Sequence, residues 1–386
     1  MLDHDILGIK PIRFMGISYL GNYKMGIQSI NAYLSNLLTQ NILYAAYYNA
    51  RTIEEISEVL SVPKNLVEEK VHYLENNGFM DVVALSKNQK KYLTNMLIHD
   101  IPKDVHYERL KIFKKYASKV CEMYIPLLLS SLFPIPYSLS PKFHIPQDDH
   151  NYFLWSLIIF ACENRFNNPE LSKNLLPFFV KRVDGSEYIP ATNVEKDYIM
   201  GNKDQRYILL GDCQYYFSFG DPEKYFIAQS GAYFDKECNK WDRFVPNDFV
   251  YLQYFLDDIM ERIPDHESII KHLLSKGFLL KDKDNMTSSM LIAKMSANEL
   301  FDILPDMPEE IIEINQKLST EIYKISKDYY PAHLKKVVKA LYQNCLSFNE
   351  MKVCVLERLL EDGTLKPLTD KQKVMVDTIV FYTSIL

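Results

Sequence analysis

The chain has 386 residues, 47% hydrophobic and 24% charged, with 12 Gly and 18 Pro, a globular composition that excludes a disordered or collagen-like protein. Its formal charge is −6, from 44 basic and 50 acidic side chains, so the chain as a whole is not a polybasic nucleic-acid coat and any nucleic-acid footprint must be local. Tyr (27) and Phe (21) are plentiful while Gly is scarce, which speaks against an enzyme built on Gly-rich phosphate loops.

The chain opens Met1-Leu2-Asp3-His4-Asp5, acidic where a secretory leader is basic, and no long apolar run follows. A cytoplasmic protein without a membrane partner is expected. From Gln28 to Ala50 apolar residues recur at Ile30, Tyr33, Leu34, Leu37, Leu38, Ile42, Leu43, Ala46 and Tyr47, a period that predicts one amphipathic helix. Thr52 with Glu55 three residues on forms a capping box and predicts a short second helix over Ile53 to Leu60. After Ser61-Val62, Pro63 suits the first position of a third helix that runs to Asn76, with Leu66, Val67, Val71 and Leu74 inward. Asn77-Gly78 stops it, since Gly takes the left-handed conformation of a helix end freely. Phe79 to Leu85 then reads as a strand, Ser86 to Lys90 as a turn, and Lys91 to Ile98 as the returning strand. Three helices, a tight turn and a two-stranded ribbon predict a winged helix-turn-helix over residues 1–100.

Charge is unevenly spread over this segment. Residues 51–81 hold seven carboxylates against three basic side chains, and the third helix presents Lys64, Asn65, Glu68, Glu69 and His72. Residues 87–119 reverse the balance, with nine bases, among them Lys87, Lys90, Lys91, Arg109 and Lys111, against three acids. One geometry places Lys64 and Asn65 near a DNA groove with Lys87, Lys90, Lys91, Arg109 and Lys111 on the phosphates. The alternative is a solvated basic helix face and a module that binds protein.

Several runs carry a resemblance. They are Asn41 to Tyr48, Thr52 to Pro63, Val67 to Met80 and Lys91 to Ile98. Together they resemble a winged-helix regulatory family associated with bacterial RNA polymerase sigma factors of the extracytoplasmic-function type, here as a stand-alone relative. The resemblance covers about 75 residues densely and implies a transcription-regulatory part beside a sigma factor or RNA polymerase. Regulators of this shape commonly pair through helices flanking the motif, so a homodimer is among the expected states.

From Lys103 to about Leu175 the pattern is helical, and the prolines at 134, 136, 141 and 146 predict a boundary near 134–148. The apolar runs Met123 to Phe133 and Tyr152 to Cys162 are about eleven residues each, core helices rather than bilayer spans. Residues 176–250 switch to an antiparallel β region, with strands expected over 178–183, 206–211, 214–219, 224–229 and 232–234. Tyr207, Tyr215, Tyr216, Phe217, Phe219, Tyr225, Phe226, Tyr233, Phe234 and Trp241 crowd it, as core or as the wall of a ligand pocket. Residues 251–386 return to helix. Within them His272 to Leu280 echoes Tyr73 to Met80, which suggests a second winged-helix-like unit.

The six cysteines are scattered with no CxxC pair, so neither a disulfide scaffold nor a zinc site is expected. Asp282-Lys283-Asp284-Asn285 fails as a calcium loop because Met286, Thr287 and Ala293 occupy the later ligand and glycine positions. No GxGxxG, P-loop, HExxH or GxSxG motif occurs, so no cofactor, metal or catalytic residue is assigned. The fold expected is α+β and mostly helical: a winged helix-turn-helix over 1–100, a helical connection over 101–175, the β region and a helical end. The function expected is a DNA-binding transcription regulator acting with a sigma factor or polymerase. A sigma- or anti-sigma-like protein-binding module, and a ligand sensor using the aromatic sheet, stand beside it.

Overall fold

The computed structural model describes residues 11–22, 30–86, 89–132, 142–146, 149–167, 169–182, 185–194, 216–220, 225–230, 246–283, 285–373 and 375–382. Over them the chain is an α+β fold in which helices predominate and the sheets are small. In chain order it runs β1 (Phe14–Asn22), α1 (Ile30–Leu34), α2 (Leu37–Ala45), α3 (Ile53–Leu60), α4 (Lys64–Asn76), β2 (Met80–Ser86), β3 (Gln89–Thr94), β4 (Leu97–His99) and the long α5 (Lys103–Leu132). There follow β5 (Phe143–His144), α6 (His150–Arg165), α7 (Pro169–Ser172), β6 (Val180–Lys181), β7 (Glu187–Val194), β8 (Tyr216–Gly220) and β9 (Tyr225–Ser230). Next come α8 (Pro246–Leu256), α9 (His266–Ser275), β10 (Leu279–Asp282), β11 (Asn285–Ser288) and β12 (Leu291–Ala293). The chain closes with α10 (Ala297–Ile303), α11 (Glu309–Ser326), α12 (Lys335–Leu341), α13 (Asn349–Glu361), α14 (Asp370–Lys373) and β13 (Thr378–Tyr382).

Two compact units emerge, each assembled from three separate stretches: 1–109, 168–202 and 316–345 in one; 110–167, 203–315 and 346–386 in the other. They interleave along the chain, unlike the four consecutive segments read from the sequence. The expected boundary near 134–148 falls inside the second unit, and residues 133–141 lie outside the described residues.

In the first unit the single helix expected over Gln28 to Ala50 is two. Asn36 adopts an extended conformation and its side chain accepts from the amides of Leu38 (2.9 Å) and Thr39 (3.4 Å), so it caps α2 instead of continuing α1. The capping box of α3 forms as its residues predict, with Thr52 N to Glu55 Oε2 at 2.7 Å and Glu55 N to Thr52 Oγ1 at 3.2 Å. Gly78 ends the α4 region at φ 74, and the amides of Gly78 and Phe79 close back onto the carbonyls of Glu75 (3.0 Å) and Leu74 (2.9 Å). Ile42, Leu43, Ile56, Val67, Val71, Leu74, Phe79 and Tyr92 are buried here.

β2 and β3 pair antiparallel as expected, but the returning strand ends at Thr94. Residues 97–99 leave the ribbon and pair parallel with β7, which also pairs antiparallel with β1 and β6. Leu97 and Ile98 are consecutive and both buried, a pattern that suits a strand covered on both faces. The Tyr47 hydroxyl brackets Ile98, donating to its carbonyl (3.0 Å) and accepting from its amide (3.1 Å). β7 itself is not anticipated by the sequence reading. Its Pro190 stands opposite Tyr19 of β1, and on the other side of β7 it falls between the residues paired with β6 (Tyr188, Glu187) and those paired with β4 (Ala191 to Asn193).

The second unit holds a five-stranded sheet in the order β5-β12-β13-β9-β8, antiparallel except for the β12–β13 pair. α6 is buried almost all round, and Trp155 Nε1 donates to the Lys366 carbonyl at 2.8 Å while Ser156 Oγ donates to that of Val376 at 2.7 Å. Leu252, Met260, Leu273, Phe278, Met290 and Val380 pack into one cluster. Of the expected strands, 178–183 shortens to β6, while 214–219 and 224–229 match β8 and β9 as antiparallel neighbours. Those over 206–211 and 232–234, with Tyr207, Tyr215, Tyr233, Phe234 and Trp241, lie outside the described residues. Among its described residues the end region read as helix also contains the strands β10 to β13.

Candidate recognition surface

The sequence nominates one surface, built from α3, α4 and the β2–β3 ribbon of the first unit. Val67, Val71 and Leu74 face the core, which turns Asn65, Glu68, Glu69 and His72 outward together with Lys64. Leu66, expected inward, is exposed. The ribbon carries a β-bulge at Val83, between Val82 opposite Tyr92 and Ala84 opposite Lys91. The extra residue breaks the alternation of the strand, and Val82 and Val83 are both exposed.

The lysines read as phosphate contacts are engaged by carboxylates of the same module. Lys64 pairs with Glu54, Lys90 with Glu75 at 3.1 Å, and Lys91 with Glu55 at 3.4 Å. The hydrogen bond from Lys64 holds the Glu54 carboxyl below its ordinary range and raises the ammonium in turn. Partial burial works against ionisation of Glu75, but the bonds from Lys90 and His72 prevail and hold it low. His72 stands between Glu68 (3.9 Å) and Glu75 (3.3 Å), so an unbroken row Glu68–His72–Glu75–Lys90 joins helix to ribbon. Lys70 pairs with Glu69 at 2.8 Å. Exposed pairs of this kind add little stability, and their consequence is electrostatic: the face has no surplus of positive charge.

Two further residues of the nominated set are placed elsewhere. Arg109 is buried, at 7% exposure, with its guanidinium over the Tyr342 ring (5.7 Å) and donating to the Tyr342 hydroxyl (3.4 Å). It belongs to the first unit's core and is withdrawn as a phosphate contact. Lys111 is exposed on the part of α5 that belongs to the second unit. Lys87 lies outside the described residues.

A structural clamp that the sequence reading missed underlies this surface. Arg182, buried before β7, donates to the carbonyls of Asn77 (3.3 Å), Gly78 and Tyr188 (3.3 Å), and its guanidinium lies over the rings of Phe79 (5.0 Å) and Tyr188 (4.7 Å). It ties the end of α4 to a strand more than a hundred residues later, a link that no local pattern announces. Among the described residues no group of His, Cys, Asp and Glu could hold a metal ion, and no helix is long and apolar enough to cross a membrane. Comparison with known family models, with characterised proteins and with solved structures finds no match.

Proposed function

We propose that α3, α4 and the β2–β3 ribbon form a winged-helix-type module that recognises a protein, in the setting of transcription control that its sequence resemblance suggests. The observation that carries the reading is the pairing of Lys64, Lys90 and Lys91 with Glu54, Glu75 and Glu55. Non-specific affinity for DNA comes mostly from basic groups that displace counterions from phosphates. Each of these lysines stands beside a carboxylate that repels phosphate, and Glu68 and Glu69 add two more on the helix that would enter a groove. Acidic groups beside exposed Leu66, Val82 and Val83 suit a partner that is basic and partly apolar.

DNA recognition by the same module is the second reading, supported by exposed Asn65, an amide suited to reading base edges. One experiment separates the two. The full chain is immobilised and challenged with RNA polymerase and its sigma factors, for the wild type and for Glu68→Lys/Glu69→Lys. Retention of a sigma factor that disappears in the double variant supports protein recognition. Wild-type failure to retain polymerase or sigma factor overturns the proposed partner. Duplex DNA binding abolished by Lys64→Glu/Lys90→Glu/Lys91→Glu, in a chain whose thermal transition is unchanged, overturns the protein reading in favour of DNA.

A further inference from the structure

The second unit contains a copy of the α4–β2–β3–β4 element. α9 ends at Ser275, and Gly277 follows at φ 74, the same value as Gly78. Phe278 is buried like Phe79, and its amide closes onto the Leu273 carbonyl (3.0 Å) as that of Phe79 closes onto Leu74 (2.9 Å). β10 and β11 form the antiparallel ribbon, after which Ser289 N donates to the Phe278 carbonyl (3.1 Å) as Asn95 N does to that of Phe79 (2.8 Å). Thr94-Asn95-Met96-Leu97-Ile98 matches Ser288-Ser289-Met290-Leu291-Ile292, and the last residues of each enter a strand, β4 or β12. β4 pairs parallel with β7 and β12 parallel with β13. The central strands β7 and β13 pair antiparallel with β1 and β9, each of which precedes its own helices. Agreement in sequence, backbone angle, hydrogen bonding and strand order makes this an internal repeat rather than a coincidence of turns.

The two copies differ in the chemistry they expose. Aligned on their glycines, Glu69 becomes Ser268 and His72 becomes Lys271. The second ribbon exposes Lys281, Lys283 and Asn285, with Lys283 in the left-handed region (φ 54) at its tip. Where the first copy ties its lysines to Glu54, Glu55 and Glu75, Lys271, Lys281 and Lys283 have no ion pair among the described residues. Ammonium, hydroxyl and amide donors on a helix and its ribbon are the groups that contact phosphate.

We infer that this second copy, α9 with the β10–β11 ribbon, is a contact surface for the phosphate backbone of duplex nucleic acid, centred on Lys271, Lys281 and Lys283. The inference goes beyond the protein-recognition role of the first copy and does not depend on it. In the sequence Glu267, Asp282 and Asp284 share this stretch with the three lysines and limit its charge, so the footprint is small, at most about three phosphates.

The test is fluorescence anisotropy of a random-sequence duplex of about 20 base pairs with the full chain, from about 50 to about 200 mM salt. Wild-type binding is expected to weaken by roughly 2–3 log units per log salt, at about 0.9 per contact. Lys271→Glu/Lys281→Glu/Lys283→Glu should lower affinity at least about tenfold and remove most of that slope, while Lys64→Glu/Lys90→Glu/Lys91→Glu leaves both unchanged. Near-ultraviolet circular dichroism checks that each variant is folded, and single reversals replace a triple that is not. Absence of duplex binding at the lowest salt, an unchanged slope in the first triple, or loss in the second triple instead would each overturn the inference. So would equal displacement of the duplex by polyglutamate, which would mark a surface for acidic protein.

Discussion

Gly78 and Gly277 make the same turn at the same φ, yet they should respond differently to a side chain. Both sit in the left-handed region, where an L-residue costs about 1 kcal/mol. A Cβ on Gly78 would lie 2.7 Å from Arg182 Nη1, in the clamp that fixes the end of α4, whereas a Cβ on Gly277 meets nothing within 4 Å. Gly277→Ala is therefore expected to cost about 1 kcal/mol, and Gly78→Ala about 2–3 kcal/mol as the guanidinium is displaced from buried carbonyl acceptors. Urea unfolding of the two variants checks this, and equal losses would show that Arg182 yields freely. His333 supplies a second residue-scale expectation. Burial lowers its proton affinity from the ordinary value near 6.5, against the opposing pull of its bond to the Thr94 carbonyl (2.9 Å) and of Asp81. The folded state thus binds its proton less readily than the unfolded chain, so its contribution is present above pH about 6.5 and is lost as pH falls toward the lowered value. The melting temperature should fall between about pH 7.5 and 5.5, and His333→Gln should shrink that fall. An identical pH profile in the variant would assign the dependence to other groups.

At the scale of elements, what could be read from the sequence was what short-range chemistry decides. The Thr52–Glu55 box, the Gly78 stop and the β2–β3 ribbon follow from residues within a few positions of one another. Their echo at Gly277 was visible for the same reason. The misses were set by distant partners. Asn36 breaks a helix that periodicity alone would continue, and its neighbours Gln40 and Asn41 turn buried amides to the start of β1, accepting from Phe14 N (2.8 Å) and Ile12 N (2.9 Å). β4 looked like the end of a hairpin because its partner β7 lies about ninety residues on, and β7 was hidden by Pro190. Among the proposed contacts, lysine positions were legible but the carboxylates that engage them were not. Buried polar tethers invisible in the sequence also join helices. Asp248 on α8 is fully buried and binds His272 Nε2 (2.5 Å) and Lys276 Nζ (2.6 Å), both carried by or next to α9. Asp248→Ala removes the carboxylate that binds Lys276, whose side chain is only 19% exposed and whose ammonium lies 5.8 Å from the centre of the Phe278 ring. A loss of about 3 kcal/mol is expected, seen as faster hydrogen exchange in α8 and α9. A loss under about 1 kcal/mol would mean that the cation swings out to water.

For the whole molecule, the decisive feature is that neither unit is a continuous piece of chain. The first unit takes residues 1–109, 168–202 and 316–345, and its sheet makes the dependence concrete. β1 and β4 do not pair with each other; both pair with β7, which arrives from the second stretch. A chain ended after residue 140 would keep α1 to α4 and the ribbon but lose β7 and Arg182, so β1 and β4 would have no shared partner and the carbonyls of Asn77 and Gly78 no clamp. It would also expose Tyr47 and Ile98, buried in the complete unit. Each large apolar side chain left in water forfeits about 1.5–3 kcal/mol, and a small domain has only about 5–15 kcal/mol in total. The fragment is therefore expected to retain helix by far-ultraviolet circular dichroism yet to melt without a cooperative transition and to exchange its amide hydrogens within minutes. A sharp transition in the fragment would instead make residues 1–100 an autonomous domain, as their local signals suggest, and would reduce the later stretches to accessories packed around it.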